Sequence, residues 1–154
     1  MLTQEFLKQT TLFQELTEEE LLEVILIGHV KKYEAGKVIF REGDPGDTLY
    51  LIVSGCVRIS KLRDGAEEAL TVLESKAFFG EMTIFDRSAR SACAIAHEDS
   101  NVFVISADDL TQLFEQNKNV GYKFLMAFCM TLTNRLRETN EKFEVIMSLA
   151  NNGF

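Results

Sequence analysis

Within Phe79 to Ala92, the run FGEMTIFDRSARSA sets Gly80, Glu81, Arg90 and Ser91 in an order suited to holding an anion. Glycine has no Cβ, so backbone there approaches a ligand closely. The residues Glu81 to Phe85 read as a short helical run whose first N–H groups lack intrahelical partners, an end that attracts anions. Arg90 follows beyond a polar turn at Asp86, Arg87 and Ser88, and a planar guanidinium grips two phosphate oxygens at once. Ser91 adds a hydroxyl donor beside it. Glu81 fits such a site only by accepting a hydrogen bond from a sugar hydroxyl, because carboxylate and phosphate repel. Phosphate and ribose together imply a nucleotide. Singly, each residue has a plainer reading: Gly80 as a turn, Glu81 as a first-turn carboxylate favoured by the helix dipole, Arg90 as a solvated surface charge. Their order and spacing together favour the site.

The elements around this stretch change character along the chain. Thr17 with Glu20 three residues on is a capping box that opens an apolar helix over Leu21 to Ile27. From Val30 to Ser106 the pattern is strand-like, with short β-branched runs at Val38 to Phe40, Leu49 to Val53, Val57 to Ile59, Ala69 to Leu73 and Val102 to Ile105. Asp64-Gly65 is a hairpin turn, since both residues tolerate positive φ. Seven or eight short strands at this spacing predict a sandwich or barrel. The run EGDPGDTLYLIVSG from Glu42 to Gly55 reads as turn chemistry leading into a strand. Ser106 with Asp109 then signals another helix start, and a longer helix follows.

Along that last helix Leu125, Cys129, Leu132, Leu136, Thr139, Phe143, Ile146 and Ala150 step alternately by four and three, a heptad seam on one face. Phe124, Phe128 and Leu125 are expected to pack on the chain's own barrel, whereas the stretch from Leu132 onward predicts a two-fold homodimer through paired helices. Thr139 is the one hydroxyl in mid-seam. It needs a hydrogen-bond partner, which is either a ligand's base or a register-setting contact between helices.

Composition narrows the function classes. At 154 residues and 46% hydrophobic content, one domain (1–154) with a real core is the expectation. A formal net charge of −8 weighs against direct nucleic-acid or anionic-membrane binding. No leader or spanning run is visible, so the reading is cytoplasmic. Cys56, Cys93 and Cys129 have no CxxC spacing and read as reduced, buried core thiols. His29 and His97 form no ligand cluster, so no metal, cofactor or enzymatic activity is expected; a cupin-like metal enzyme would need a histidine-rich ligand set.

The FGEM…RSA pattern resembles the phosphate-binding cassette of the cyclic-nucleotide-binding domain family, with Thr83 where a small Ala or Ser is usual and Ala89 and Cys93 as further departures. That resemblance implies a mainly β fold with flanking helices (α+β): an antiparallel jelly-roll barrel over 30–106, helices over 1–29, and C-terminal helices over 107–150 that carry the dimer. It implies that Glu81 receives the ribose 2′-hydroxyl, that Gly80 and Met82 offer backbone groups, and that Arg90 and Ser91 hold the cyclic phosphate with Ala92 completing the triplet. The run NRLRETNEK, Asn134 to Lys142, is similar to the C-helix of cyclic-AMP-receptor-type members. On that alignment Thr139 meets the adenine, Asn140 reaches the base in the neighbouring subunit, and Arg135 lies near the ribose-binding glutamate. The resemblance thus implies a cyclic nucleotide sensor, cyclic AMP preferred, acting on an unidentified protein partner by repositioning the C-terminal helix. The alternatives are a cyclic-GMP-selective sensor, since Ser91 could meet a guanine amino group, or a dimer with a silent pocket. Because the chain ends at Phe154 soon after this helix, no helix-turn-helix module is expected.

Overall fold

A computed structural model of the chain describes residues 1–153. Its N-terminal section holds α1 (Gln4–Lys8) and α2 (Glu18–Leu26). The Thr17–Glu20 capping box closes as the sequence requires: Thr17 Oγ1 accepts from the Glu20 N–H at 3.2 Å and the Glu20 carboxylate accepts from the Thr17 N–H at 2.8 Å. This satisfies two of the donors that a helix start leaves open.

Among the described residues eight strands follow: β1 (Gly28–Tyr33), β2 (Val38–Phe40), β3 (Thr48–Ser54), β4 (Val57–Arg63), β5 (Ala66–Leu73), β6 (Phe78–Phe79), β7 (Cys93–Ala96) and β8 (Ser100–Ser106). They pair antiparallel in two four-stranded sheets, β1-β8-β3-β6 and β2-β7-β4-β5. Asp64 and Gly65 make the β4–β5 hairpin with φ of 52° and 79°, the left-handed pair that matches strand twist. One apolar cluster fills the space between the sheets, with Tyr50, Ile52 and Phe79 from the first meeting Val57, Ala94 and Ala96 from the second. A second cluster joins the first sheet to the helices. There Phe13 and Phe78 meet edge-on at 5.5 Å, and Phe124 stacks on Phe128 at 6.1 Å.

After β8, Ser106 Oγ accepts from the Asp109 N–H at 3.0 Å and opens α3 (Ala107–Gln116), and Asn117 caps α4 (Lys118–Asn151). The root of α4 is pinned. Val120, Phe124 and Phe128 are buried, and Lys123 Nζ donates to the Glu20 carboxylate at 2.7 Å, joining α4 to the capping box of α2.

Four expectations change. The helical run from Glu81 ends at Thr83 as a single 3-10 turn, with Ile84 to Asp86 continuing as an irregular turn; three residues beyond a left-handed glycine are too few to propagate a helix. The first strand starts at Gly28, inside the section read as helical. Leu125 is 42% exposed, because one position on from Phe124 turns a side chain about 100° away from the barrel. Of the cysteines only Cys93 is buried; Cys56 is half-buried and Cys129, on the seam, is exposed.

Candidate functional site

Arg90 has the most constrained side chain in the cassette. It is 4% exposed, so the surface-charge reading does not hold. Its guanidinium lies 4.3 Å from the Phe40 ring centre and 5.6 Å from that of Tyr50. Nη1 donates to the Gly80 carbonyl at 3.0 Å and to Thr83 Oγ1 at 2.9 Å, and Nη2 donates to the Thr48 carbonyl at 2.9 Å. Nε is buried with no partner. A buried donor left open costs on the order of 1–3 kcal/mol, more when charged. Burial pulls the arginine's pKa down, while Tyr50 and Asp47 act to raise it. The backbone of Arg90 is held as firmly: its N–H donates to the Asp44 carbonyl at 2.8 Å and its carbonyl accepts from the Gly43 N–H at 2.9 Å.

Gly80 makes this arrangement sterically possible. Its φ is +77°, and a Cβ there would stand 2.8 Å from both Arg90 Nη1 and the Thr48 carbonyl. Any side chain would push the guanidinium out of its cradle while straining the backbone.

Glu81, the next residue, is also buried, and its carboxylate pairs with Arg135 Nη1 from α4. The cassette therefore grips the helix through an ion pair, and Phe85 adds a ring contact with Phe128 at 5.3 Å. A crevice of about 230 Å³ runs along this junction, lined by Glu81 and Arg135 together with Lys76, Phe78, Phe128 and Thr131 among others.

The remaining residues picked from the sequence divide between cassette and helix. Ala92 is buried, Ser91 and Met82 are exposed, and Asn140 is exposed on α4. Thr139 lies one turn beyond Arg135, and its Oγ1 donates to the Arg135 carbonyl at 2.8 Å. The partner that mid-seam hydroxyl needs is thus available within its own helix, which leaves its lone pairs to accept from elsewhere.

A family model described as the cyclic nucleotide-binding domain matches residues 30–117, from β1 through α3. The chain belongs to the cyclic nucleotide-binding domain family. The chain is 32% identical over 141 residues to the cyclic AMP receptor protein of Thermus thermophilus, covering 91% of this chain and 63% of that protein. It is 28% identical over 149 residues to human cGMP-dependent protein kinase 2, covering 95% of this chain and 19% of the kinase. Among solved structures, a cyclic nucleotide-binding domain from Methylobacillus flagellatus superposes with a TM-score of 0.78 at 29% identity, over 90% of this chain and 78% of that one. The chain thus spans less than two thirds of both the Thermus receptor and the kinase.

Several members of this candidate site escaped sequence reasoning. Phe40, Tyr50 and the Thr48 carbonyl reach Arg90 from strands distant in sequence. The Gly43–Asp44 turn, read as turn chemistry alone, also fixes the Arg90 backbone. Thr83, a departure from the usual small residue, is a hydrogen-bond acceptor for Arg90. The signal available for it was a hydroxyl at a position where the family keeps side chains small.

Proposed function

We propose that this chain is a non-enzymatic, cytoplasmic cyclic nucleotide sensor, a single domain that prefers cyclic AMP and pairs two-fold through α4. The observation that carries the proposal is the buried Arg90 side chain with its Nε unpaired, set beside a buried Glu81. A phosphate oxygen satisfies Nε and neutralises a guanidinium that burial has made costly. The Glu81 carboxylate, paired with Arg135, accepts from a ribose hydroxyl. Gly80, Met82, Ser91 and Ala92 complete the cassette around the cyclic phosphate.

Signalling follows from where the groups sit. Phosphate and ribose bind to the cassette, while Arg135, Thr139 and, from the second copy, Asn140 belong to α4. A nucleotide held by both favours one placement of α4 over another, by no more than its difference in affinity for the two. A partner protein reads that placement. The preference for cyclic AMP rests on Thr139 as base acceptor. The specific observation on the other side is that Ser91 is free on the surface and relatives include both a cyclic AMP receptor and a cGMP-dependent kinase. That keeps a cyclic-GMP-selective sensor as the second reading.

Calorimetric titration with cyclic AMP, cyclic GMP and the open-phosphate control 5′-AMP tests the proposal. Saturable binding of one cyclic nucleotide per chain, cyclic AMP tightest and 5′-AMP weak, is the expected result. Absence of both heat and thermal stabilisation with all three would leave a dimer with a silent pocket. Interspin distances between paired labels on α4 that do not move on nucleotide addition would remove the repositioning step.

A further inference from the structure

The helix α4 outruns the domain it packs on. Its barrel-facing side carries Ala127, packed against the core, and Val145 lies on that same side about five turns later, with Leu149 one turn further. Among the described residues nothing lies beneath them: Val145 is 59% and Leu149 68% exposed. Two adjoining shallow depressions follow this side. One is lined by Glu138, Glu141, Lys142, Val145 and Ile146, and the other by Glu141, Glu144, Val145, Ser148 and Leu149. The dimer seam reaches only the edge of the first, through Ile146. At this depth the midline of the seam, between Phe143, Ile146 and Ala150, lies about 130° round the helix from Val145 and about 90° from Leu149, so a two-stranded pairing leaves most of this second stripe uncovered. A contiguous apolar surface rimmed by charge marks an interaction site.

From this we infer that the Val145–Leu149 stripe docks a basic amphipathic helix of a partner protein, which gives the partner in the proposed signalling its chemistry and rests on that reading. Apolar side chains one turn apart are the anchors that helix-on-helix recognition uses. The flank supplies three carboxylates against one lysine, on a chain whose net charge is already −8, so complementary charge belongs to the incoming helix. The same charges oppose a second copy as occupant, because self-pairing of this stripe would set the carboxylates of both chains along one interface.

The test titrates the full chain into a fluorescent Leu/Lys amphipathic peptide about five turns long, with a Leu/Glu peptide of the same pattern as control, and reads anisotropy. Binding of the basic peptide alone is expected, weakening by about tenfold or more in Val145→Glu/Leu149→Glu and in Glu141→Lys/Glu144→Lys. The seam variant Leu136→Glu should leave it unchanged. No binding, equal binding of both peptides, or loss in Leu136→Glu but not in the stripe variants overturns the inference. Light scattering on the same samples reads the two-fold pairing separately, so a monomeric wild type breaks that reading while the titration still decides the docking. A species larger than a dimer that Val145→Glu/Leu149→Glu dissolves would give the stripe to further copies of this chain instead.

Discussion

The cassette and the outer half of α4 handle polarity in opposite ways. Around Gly80 the chain buries two charged side chains, Glu81 and Arg90, inside a shell of carbonyls, a hydroxyl and aromatic rings. Beyond Arg135, α4 exposes Leu136, Phe143, Val145, Ile146 and Leu149 to solvent. Buried charge persists where a ligand or partner repays desolvation, and exposed apolar surface persists where another surface covers it. Under the proposed function a cyclic phosphate meets the first region and protein covers the second.

The sharpest way to break this contrast is to remove the buried charge. Arg90→Ala takes away a charge-assisted and potentially bidentate contact, an expected loss of about 2–4 kcal/mol in cyclic nucleotide affinity, or roughly 30- to 1,000-fold. Calorimetry measures it, and the variant should remain dimeric by light scattering. Affinity within twofold of wild type would make Arg90 a packing residue.

The converse change puts charge on the apolar side. Leu136→Glu places an unpaired carboxylate in mid-seam, and the chain should run as a monomer, with its dimer dissociation constant raised by about a hundredfold or more. Leu136 is 61% exposed in the single chain, so folding should be unaffected; an unchanged mass in light scattering would show that the seam pairs with nothing.

Legibility followed the same divide. Local hydrogen-bond chemistry was readable: the Thr17 and Ser106 caps, the Asp64-Gly65 hairpin, and the strands with alternating or β-branched runs all sit where their residues demand. Elements defined by their neighbours were harder to see. β1, with the largely exposed pattern of His29 to Lys32, shows no apolar alternation and owes its existence to pairing with β8 along its whole length. β7, CAIA, is buried at every position and carries small residues of low strand preference. In the site, Glu81 and Arg90 stood out by type and spacing. Thr48, Phe40 and Tyr50 did not, because a carbonyl and two rings carry no motif and reach Arg90 only through the fold.

Thr139 joins the two regions, lying on the seam one turn past the residue that pairs with Glu81. Thr139→Ala removes one neutral hydrogen bond, so cyclic AMP should weaken by about 0.5–1.5 kcal/mol and cyclic GMP by less. Equal losses for both nucleotides would assign Thr139 to the seam, where its hydroxyl is already occupied by the Arg135 carbonyl.

An effect of similar size to that of Thr139 belongs to the root of α4, where charge is buried in a complete setting. Burial acts to raise the Glu20 pKa, but the hydrogen bond from Lys123 and those from Thr17 outweigh it, and the net shift is below the ordinary 4.5. A carboxylate whose folded pKa is depressed stabilises the fold at pH values above its unfolded pKa, and that stabilisation is lost as pH falls through the folded value. Above about pH 5, Glu20→Gln should therefore cost on the order of 1 kcal/mol, measured by denaturant unfolding. Below both pKa values the wild-type carboxyl is protonated as well, so the two proteins should converge. A difference that persisted there would mean that Glu20 acts through packing and capping shape rather than through its charge on Lys123.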